Sequence, residues 1–192
     1  FGIIDHPSGT AKNAQFNCFK YCRDYWLFLE FSLMLYIFDL DHTVIDSSHR
    51  QLTRADGSLD LDNWIENCTY EKIMQDRLLP LASSFKRFIK DPSKKTAICT
   101  ARVLSKPDYE FLALHDMQPD YIMSRGLGDN RADDRMKFAK ISRLLIQLKI
   151  PRARWRVAAC IIDDNLSVLN MAENELKINA LNAIDLNQKL QA

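Results

Sequence analysis

Two aspartates stand two positions apart, Asp39 and Asp41, directly after the apolar run Leu35-Tyr-Ile-Phe38. While the chain stays extended, side chains at i and i+2 leave the same side. One carboxylate of such a pair can attack phosphorus. The other can protonate the leaving oxygen and then activate water, which divides a slow hydrolysis into two displacements through an aspartyl-phosphate. A second acidic pair, Asp163-Asp164, follows the apolar run 157–162, and Thr100 ends a third run, 96–100. Carboxylates gathered without a cation repel one another or hold a proton, so this set of hard oxygen donors suits a divalent ion such as Mg²⁺. A phosphoryl group in transit carries dispersed negative charge and needs a positive side chain beside it. Lys137 and Lys140 both lie in the amphipathic segment 132–148. Spacing favours Lys137, in its first turns, and leaves Lys140 as a competitor.

These groups need a framework that brings them together. Short apolar runs at 35–39, 96–100, 120–123, 157–162 and, more weakly, 176–181 predict strands. Segments 80–90, 105–116, 132–148, 166–174 and 185–191 predict helices; within 132–148, Met136, Ala139, Ile141, Leu144, Leu145 and Leu148 form an apolar stripe at helical spacing. Strands alternating with helices of this length imply βαβ units around a parallel sheet, an α/β fold. In an open parallel sheet ligands bind beyond the carboxyl ends of the strands. Asp39, Asp41, Thr100, Asp163 and Asp164 all fall at that rim. Residues 44–79 break the pattern: they are polar, rich in Asp and interrupted by Asp56-Gly57, which predicts an irregular or partly helical excursion.

The whole chain has 192 residues, 47% apolar and 27% charged, in keeping with one ordinary globular domain. Lys and Arg number 26 against 25 Asp and Glu, which excludes a strongly basic nucleic-acid-binding tail and leaves only a local patch for such contacts. Of the five cysteines, Cys99 and Cys160 lie inside apolar runs, so they read as reduced core residues of an intracellular protein. The apolar stretch 25–38 is too short to span a bilayer and contains Glu30, so no membrane segment is expected. All six methionines lie at or after Met34, at the head of the first strand. The expectation is a domain over 34–192 whose native start is Met34, with residues 1–33 an upstream extension.

The motifs together carry a family resemblance. Phe38-Asp-Leu-Asp-His-Thr-Val44 resembles motif I, D-x-D-x-T, of the haloacid dehalogenase-like (HAD) phosphatase superfamily. Ile98-Cys-Thr-Ala-Arg102 resembles its motif II, and Ile161-Ile-Asp-Asp-Asn165 its acidic motif IV. The segment Arg125-Gly-Leu-Gly-Asp-Asn-Arg-Ala-Asp-Asp-Arg-Met-Lys137 is similar to the one holding the motif III lysine in the 3′-phosphatase domain of phage-type polynucleotide kinase/phosphatases. The resemblance covers about residues 34–175 and implies a Rossmann-like three-layer fold with a central parallel sheet and a minimal cap insert at 44–79. It implies Asp39 as nucleophile and Mg²⁺ ligand, and Asp41 as general acid/base that lends its backbone carbonyl to the metal. Thr43 would brace the loop, Thr100 bind phosphoryl oxygens and Lys137 neutralise charge. Asp164 would bind Mg²⁺ directly, with Asp163 behind it or reaching it through water; the two can exchange these places. One departure is His42, where glycine is common.

Basic residues near the rim, Arg102, Arg125, Arg131 and Arg135, are candidates for holding substrate phosphates. Arg152, Arg154 and Arg156 precede a strand and belong to the opposite edge as a solvated turn. Trp64 and Tyr70 in the insert could stack on bases, although packing is their commoner role. No G-x-x-x-x-G-K-[ST] occurs, so the kinase half of the bifunctional enzymes is missing. An insert this small predicts an open rim suited to a bulky phosphorylated end. The resemblance thus implies a cytoplasmic, virus-encoded phosphatase acting on the 3′-phosphate of a nucleic-acid end. A nucleotidase or other small-molecule phosphatase is the runner-up, and a catalytically idle HAD-fold binding module the reading from another class.

Overall fold

The computed structural model describes residues 34–57 and 59–191. Residues 1–33, expected as an upstream extension, lie outside the described residues. The first strand, β1 (Met34–Phe38), leads into the loop that carries Asp39 and Asp41. The insert follows: β2 (Ile45–Asp46), a 3-10 turn (Ser48–Arg50), α1 (Leu61–Glu66), α2 (Tyr70–Ile73) and β3 (Arg77–Leu78), which pairs antiparallel with β2. Next come α3 (Leu81–Ile89), β4 (Lys94–Thr100), α4 (Lys106–Leu114), β5 (Tyr121–Ser124) and α5 (Asp133–Gln147). The chain ends with α6 (Trp155–Ala158), β6 (Ala159–Asp163), α7 (Leu166–Met171), a π-helical turn (Ala172–Leu176), β7 (Asn179–Asn182) and α8 (Ala183–Gln191).

The main sheet is wholly parallel, in the order β5-β4-β1-β6-β7. Its central strands are buried on both faces, as apolar runs without a polar side require. Leu35, Ile37, Ala97, Cys99, Ala159 and Ile161 point into one core, closed by Ile141, Leu144 and Leu145 of α5 and Val168 and Met171 of α7. Phe38, Ile98, Cys160 and Ile162 point into the other, closed by Phe85 of α3 and Phe111 of α4. Cys99 and Cys160 are therefore buried free thiols in opposite cores. This is the expected three-layer α/β fold. Successive strands first step outward from β1 to β5, and the chain then returns to β6 on the other side of β1. That reversal opens a crevice between the carboxyl ends of β1 and β6.

Two sequence expectations shift. The strand foreseen at 157–162 starts later, because Val157 and Ala158 complete the turn of α6. The strand foreseen at 176–181 also starts later, at Asn179, after the π-helical turn that runs to Leu176. The insert is partly helical, one of the two forms expected of it. Asp60 caps α1 by accepting from the Asn63 amide, and Thr69 caps α2 by accepting from the Lys72 amide. Arg152–Arg154 forms a 3-10 turn leading into β6, at the edge of the sheet remote from the rim, as expected. Among the described residues no helix is long and apolar enough to cross a membrane.

Candidate active site

Asp39 follows β1, and its amide donates to the carbonyl of Ile162 at 3.0 Å, so sheet pairing itself brings the first acid beside the end of β6. Ligand oxygens of Asp39, Asp163 and Asp164 all lie within 4.8 Å of one another. Three carboxylates from two strands thus converge closely enough to share one cation. Lys137, on the second turn of α5, is 1% exposed. Its ammonium donates to Asp39 Oδ1 at 2.9 Å and Asp163 Oδ2 at 2.8 Å, and lies 3.3 Å from Asp133 Oδ2. Lys137 is therefore the lysine at the rim, whereas no described contact draws Lys140 there.

The ionisation of this cluster follows from its charge count. Burial would strip Lys137 of its proton, but the carboxylates of Asp39, Asp163 and Asp133 outweigh it and hold the ammonium charged. One ammonium does not balance that much negative charge. Burial, reinforced by Asp163 and Asp41, pushes the Asp39 carboxyl well above the usual carboxylate range in spite of Lys137. Burial pushes Asp163 up to about 6. Asp164 is also raised, chiefly by burial. An oxygen-donor set with this excess of negative charge fits a hard divalent cation. Asp163 has both oxygens in use, Oδ2 on Lys137 and Oδ1 accepting from the Asn165 amide at 3.0 Å. Asp164 sits half-buried on the cavity wall, an arrangement that suits Asp164 as the direct ligand. Asn165 then caps α7 by accepting from the Ser167 amide, which anchors the acidic turn.

Asp41 is turned to a different neighbourhood. The Arg102 guanidinium donates to Asp41 Oδ1 at 2.5 Å and Oδ2 at 3.2 Å, and the Ser47 hydroxyl donates to Oδ1 at 2.5 Å. Burial acts to raise the Asp41 carboxyl, but the charge and hydrogen bonds of Arg102, with Ser47 and Arg50, bring it below the ordinary value. The side chain of Asp41 is accordingly outside the three-carboxylate cluster, and only its main chain remains as a metal donor. Arg102 also donates to Asp108 at 2.6 Å and reaches Asp76 at 3.5 Å, while Asp76 takes two hydrogen bonds from Arg50, at 2.8 and 2.9 Å. Asp108 in turn accepts from the Ser105 amide at the start of α4. This network corrects the expectation for Arg102, whose guanidinium is buried and consumed in holding Asp41.

The other expected residues sort as follows. Thr100 is buried on the floor of the cavity, its hydroxyl accepting from the Arg102 amide at 3.1 Å. Thr43 braces the loop through its main chain, with its carbonyl accepting from Asn187 of α8 at 3.0 Å. Its buried Oγ1 finds no partner among the described residues. Arg125 lines the cavity, but its guanidinium donates to the carbonyls of Ala101, Asp129 and Arg131, shaping the loop 125–131. Arg131 is exposed and paired with Asp129. Arg135 pairs with Glu175, away from the cavity. Asp133, Arg50, Asp76, Asp108 and Ser47 were not foreseen. Asp133 has a sequence signal, one helical turn before Lys137, and Asp108 has one as the acidic member of a capping box with Ser105; Arg50 and Asp76 have none, because they meet across 26 residues.

Asp39, Asp41, Thr100, Asp133 and Asp164 line the floor of a cavity of about 880 Å³. Its wall includes Leu59, Leu61, Trp64 and Ile65 of the insert, so the rim is partly enclosed rather than open.

A family model described as bacteriophage T5 5′-deoxynucleotidase matches residues 30–192. The chain is similar to the 5′-deoxynucleotidase of Escherichia phage T5, at 40% identity over 97 residues, 49% of this chain and 37% of that protein. It thus spans little more than a third of that relative's length. Among solved structures, the Pnkp1/Rnl/Hen1 RNA repair complex is similar at 22% identity and a TM-score of 0.51, over 79% of this chain and 42% of the other. A haloacid dehalogenase-like hydrolase from Streptococcus pneumoniae is similar at 15% identity and a TM-score of 0.55, over 82% and 91%. A HAD-superfamily hydrolase from Geobacter sulfurreducens gives 14% and 0.55, over 78% and 89%. At such identities these structures speak to the fold, which is HAD-like.

Proposed function

The chain belongs to the bacteriophage T5 5′-deoxynucleotidase family, and from that membership and the geometry of the rim we propose that it hydrolyses the phosphomonoester of deoxynucleoside 5′-monophosphates. The observation that carries this reading is a single site. A buried nucleophile, Asp39, lies between Lys137 and the Asp163–Asp164 pair at the base of a cavity of about 880 Å³, within the size range of sites that enclose small organic ligands. The phage origin of the similar nucleotidase supports a virus-encoded enzyme.

Asp39 and Asp164, with Asp163 behind them, would hold Mg²⁺, which would supply positive charge to offset that of the phosphoryl group. Asp39 attacks phosphorus through a carboxylate oxygen, the ester P–O bond breaks, and the leaving oxygen takes a proton from Asp41. Water then attacks the aspartyl-phosphate while Asp41 accepts its proton, the P–O bond to Asp39 breaks, and inorganic phosphate leaves. Arg102 and Ser47 hold Asp41 as a carboxylate, the form that accepts the proton from water. The phosphate dianion beside it favours the protonated acid in the substrate complex, as the first step requires. Lys137 holds charge on Asp39 and on the phosphoryl group, and Thr100 offers its hydroxyl to a phosphoryl oxygen.

A second reading, removal of 3′-phosphates from nucleic-acid ends, draws on the similarity of Gly128–Lys137 to polynucleotide kinase/phosphatases and on the exposed Arg131 at the rim. Against it, Arg102 and Arg125 already spend their guanidinium groups inside the protein, and the insert narrows the approach. Turnover of thymidine 5′-monophosphate against a 3′-phosphorylated oligonucleotide separates the two, with Mg²⁺ present and after chelation. The expected result is Mg²⁺-dependent release of phosphate, faster from the mononucleotide. Faster release from the oligonucleotide reverses the ranking.

A further inference from the structure

The acids occupy only the floor of the cavity, and its wall has a different chemistry. Leu61, Trp64 and Ile65 project from α1 of the insert, and Leu127 from the separate loop 125–131, to line the same space. Leu61 is 57% exposed, Ile65 69% and Leu127 95%. Large apolar side chains left in water around one concave surface mark a binding site more often than scattered single ones do. Trp64 is also held in place: the Arg50 guanidinium stacks 4.1 Å from its ring centroid and Arg102 lies 5.4 Å away. Both arginines are buried and tied to Asp76. The indole is thus fixed on a rigid charged base, and part of its surface remains as cavity wall.

A sugar phosphate on the catalytic floor would bring nothing apolar to this wall. A nucleobase has two flat faces that stack on aromatic and aliphatic side chains, at a gain of roughly five-fold to a hundred-fold in affinity per base. We infer that α1 and the tip of loop 125–131 form a nucleobase-binding wall, with Trp64 and Leu127 setting the preference for a nucleotide over the bare sugar phosphate. The inference rests on the nucleotidase reading and extends it to the half of the cavity that the chemistry does not use.

The test is the ratio of kcat/KM for thymidine 5′-monophosphate to that for 2-deoxyribose 5-phosphate, the same ester without its base, using the full chain with Mg²⁺. The ratio should be well above one in the wild type. It should fall roughly ten-fold in Trp64→Ala and recover largely in Trp64→Phe. Trp64→Ala also removes the ring on which Arg50 packs and can loosen the insert. Leu127→Ser, at a position 95% exposed, has no such side effect and should lower the ratio about three-fold by loss of apolar contact. A wild-type ratio near one, or a ratio unmoved by both Leu127→Ser and Trp64→Ala, overturns the wall while leaving the phosphatase chemistry standing. If the wild type releases phosphate from neither compound but does so from a 3′-phosphorylated oligonucleotide, the nucleotidase reading falls and this inference falls with it.

Discussion

Around Lys137 a single ammonium meets Asp39, Asp133 and Asp163, with Asp164 beside them, whereas beneath the insert Arg50 and Arg102 meet Asp41, Asp76 and Asp108. The second cluster is nearly balanced, and its guanidinium groups join insert to sheet while holding the Asp41 carboxylate at the edge of the cavity. The first has far more negative than positive charge, and its buried Asp133 Oδ1 has no hydrogen-bond partner among the described residues. Asp39 and Asp41, two residues apart, belong to different clusters, and their carboxyls are pushed in opposite directions, Asp39 up and Asp41 down. Opposed environments of this kind are how two like acids come to perform different tasks. What differs between the regions is therefore whether charge is settled within the protein or left for a ligand to settle.

The contrast breaks most sharply at Asp39. Asp39→Asn should reduce phosphate release at least a thousand-fold, and because it removes one of the crowded carboxylates the melting temperature of the metal-free protein should not fall. A large loss of stability with activity retained would mean that Asp39 belongs to a structural cluster like its neighbour's. Arg102→Met is the complementary case. It leaves Asp41, Asp76 and Asp108 facing one fewer cation inside the protein, at a cost of about 3–5 kcal/mol, read by denaturant unfolding, and it should also lower kcat more than it raises KM because Asp41 loses its anchor.

Acidity sharpens the same comparison. Asp163 is raised to about 6 from an ordinary 3.8, so the folded state binds more protons than the unfolded chain over that interval. Its contribution makes the metal-free protein lose stability as pH rises from about 4 through about 6, on the order of 3 kcal/mol. Thermal melts should show the loss without metal and its reduction by Mg²⁺; a metal-free profile flat from pH 5 to 7 would contradict the charge imbalance. The smallest effect is expected at His42, which lies in the left-handed region with φ 56°. His42→Gly relieves that conformation and should leave stability within about 1 kcal/mol of the wild type, on the stabilising side.

Much of the rim was legible because strand ends are. An apolar run buried on both faces identifies a parallel strand, and a carboxylate just beyond it has one place to be, so Asp39, Thr100, Asp163 and Asp164 could be assigned to one edge before any coordinates. Lys137 was favoured over Lys140 by its place in the first turns of α5; phase does not choose between them, since side chains three residues apart lie on nearly the same helix face. The insert was harder to read. Its helices α1 and α2 are six and four residues long, too short for periodicity to declare itself.

Residue types and spacing alone determined the parallel α/β frame, the acid pairs at its edge and the chemistry open to them, because each depends on local pattern and on the rule that ligands meet parallel strands at their carboxyl ends. Tertiary structure decided the partners. Arg50 and Arg102 are separated in sequence from the carboxylates they hold by as many as 26 and 61 residues, and the contact of Asn187 with the Thr43 carbonyl spans 144. No local pattern encodes which arginine is spent inside the protein, nor that Trp64 is fixed as a wall above the acids. Such facts arise only when distant segments compete for the same buried charge, and packing settles which of them meet.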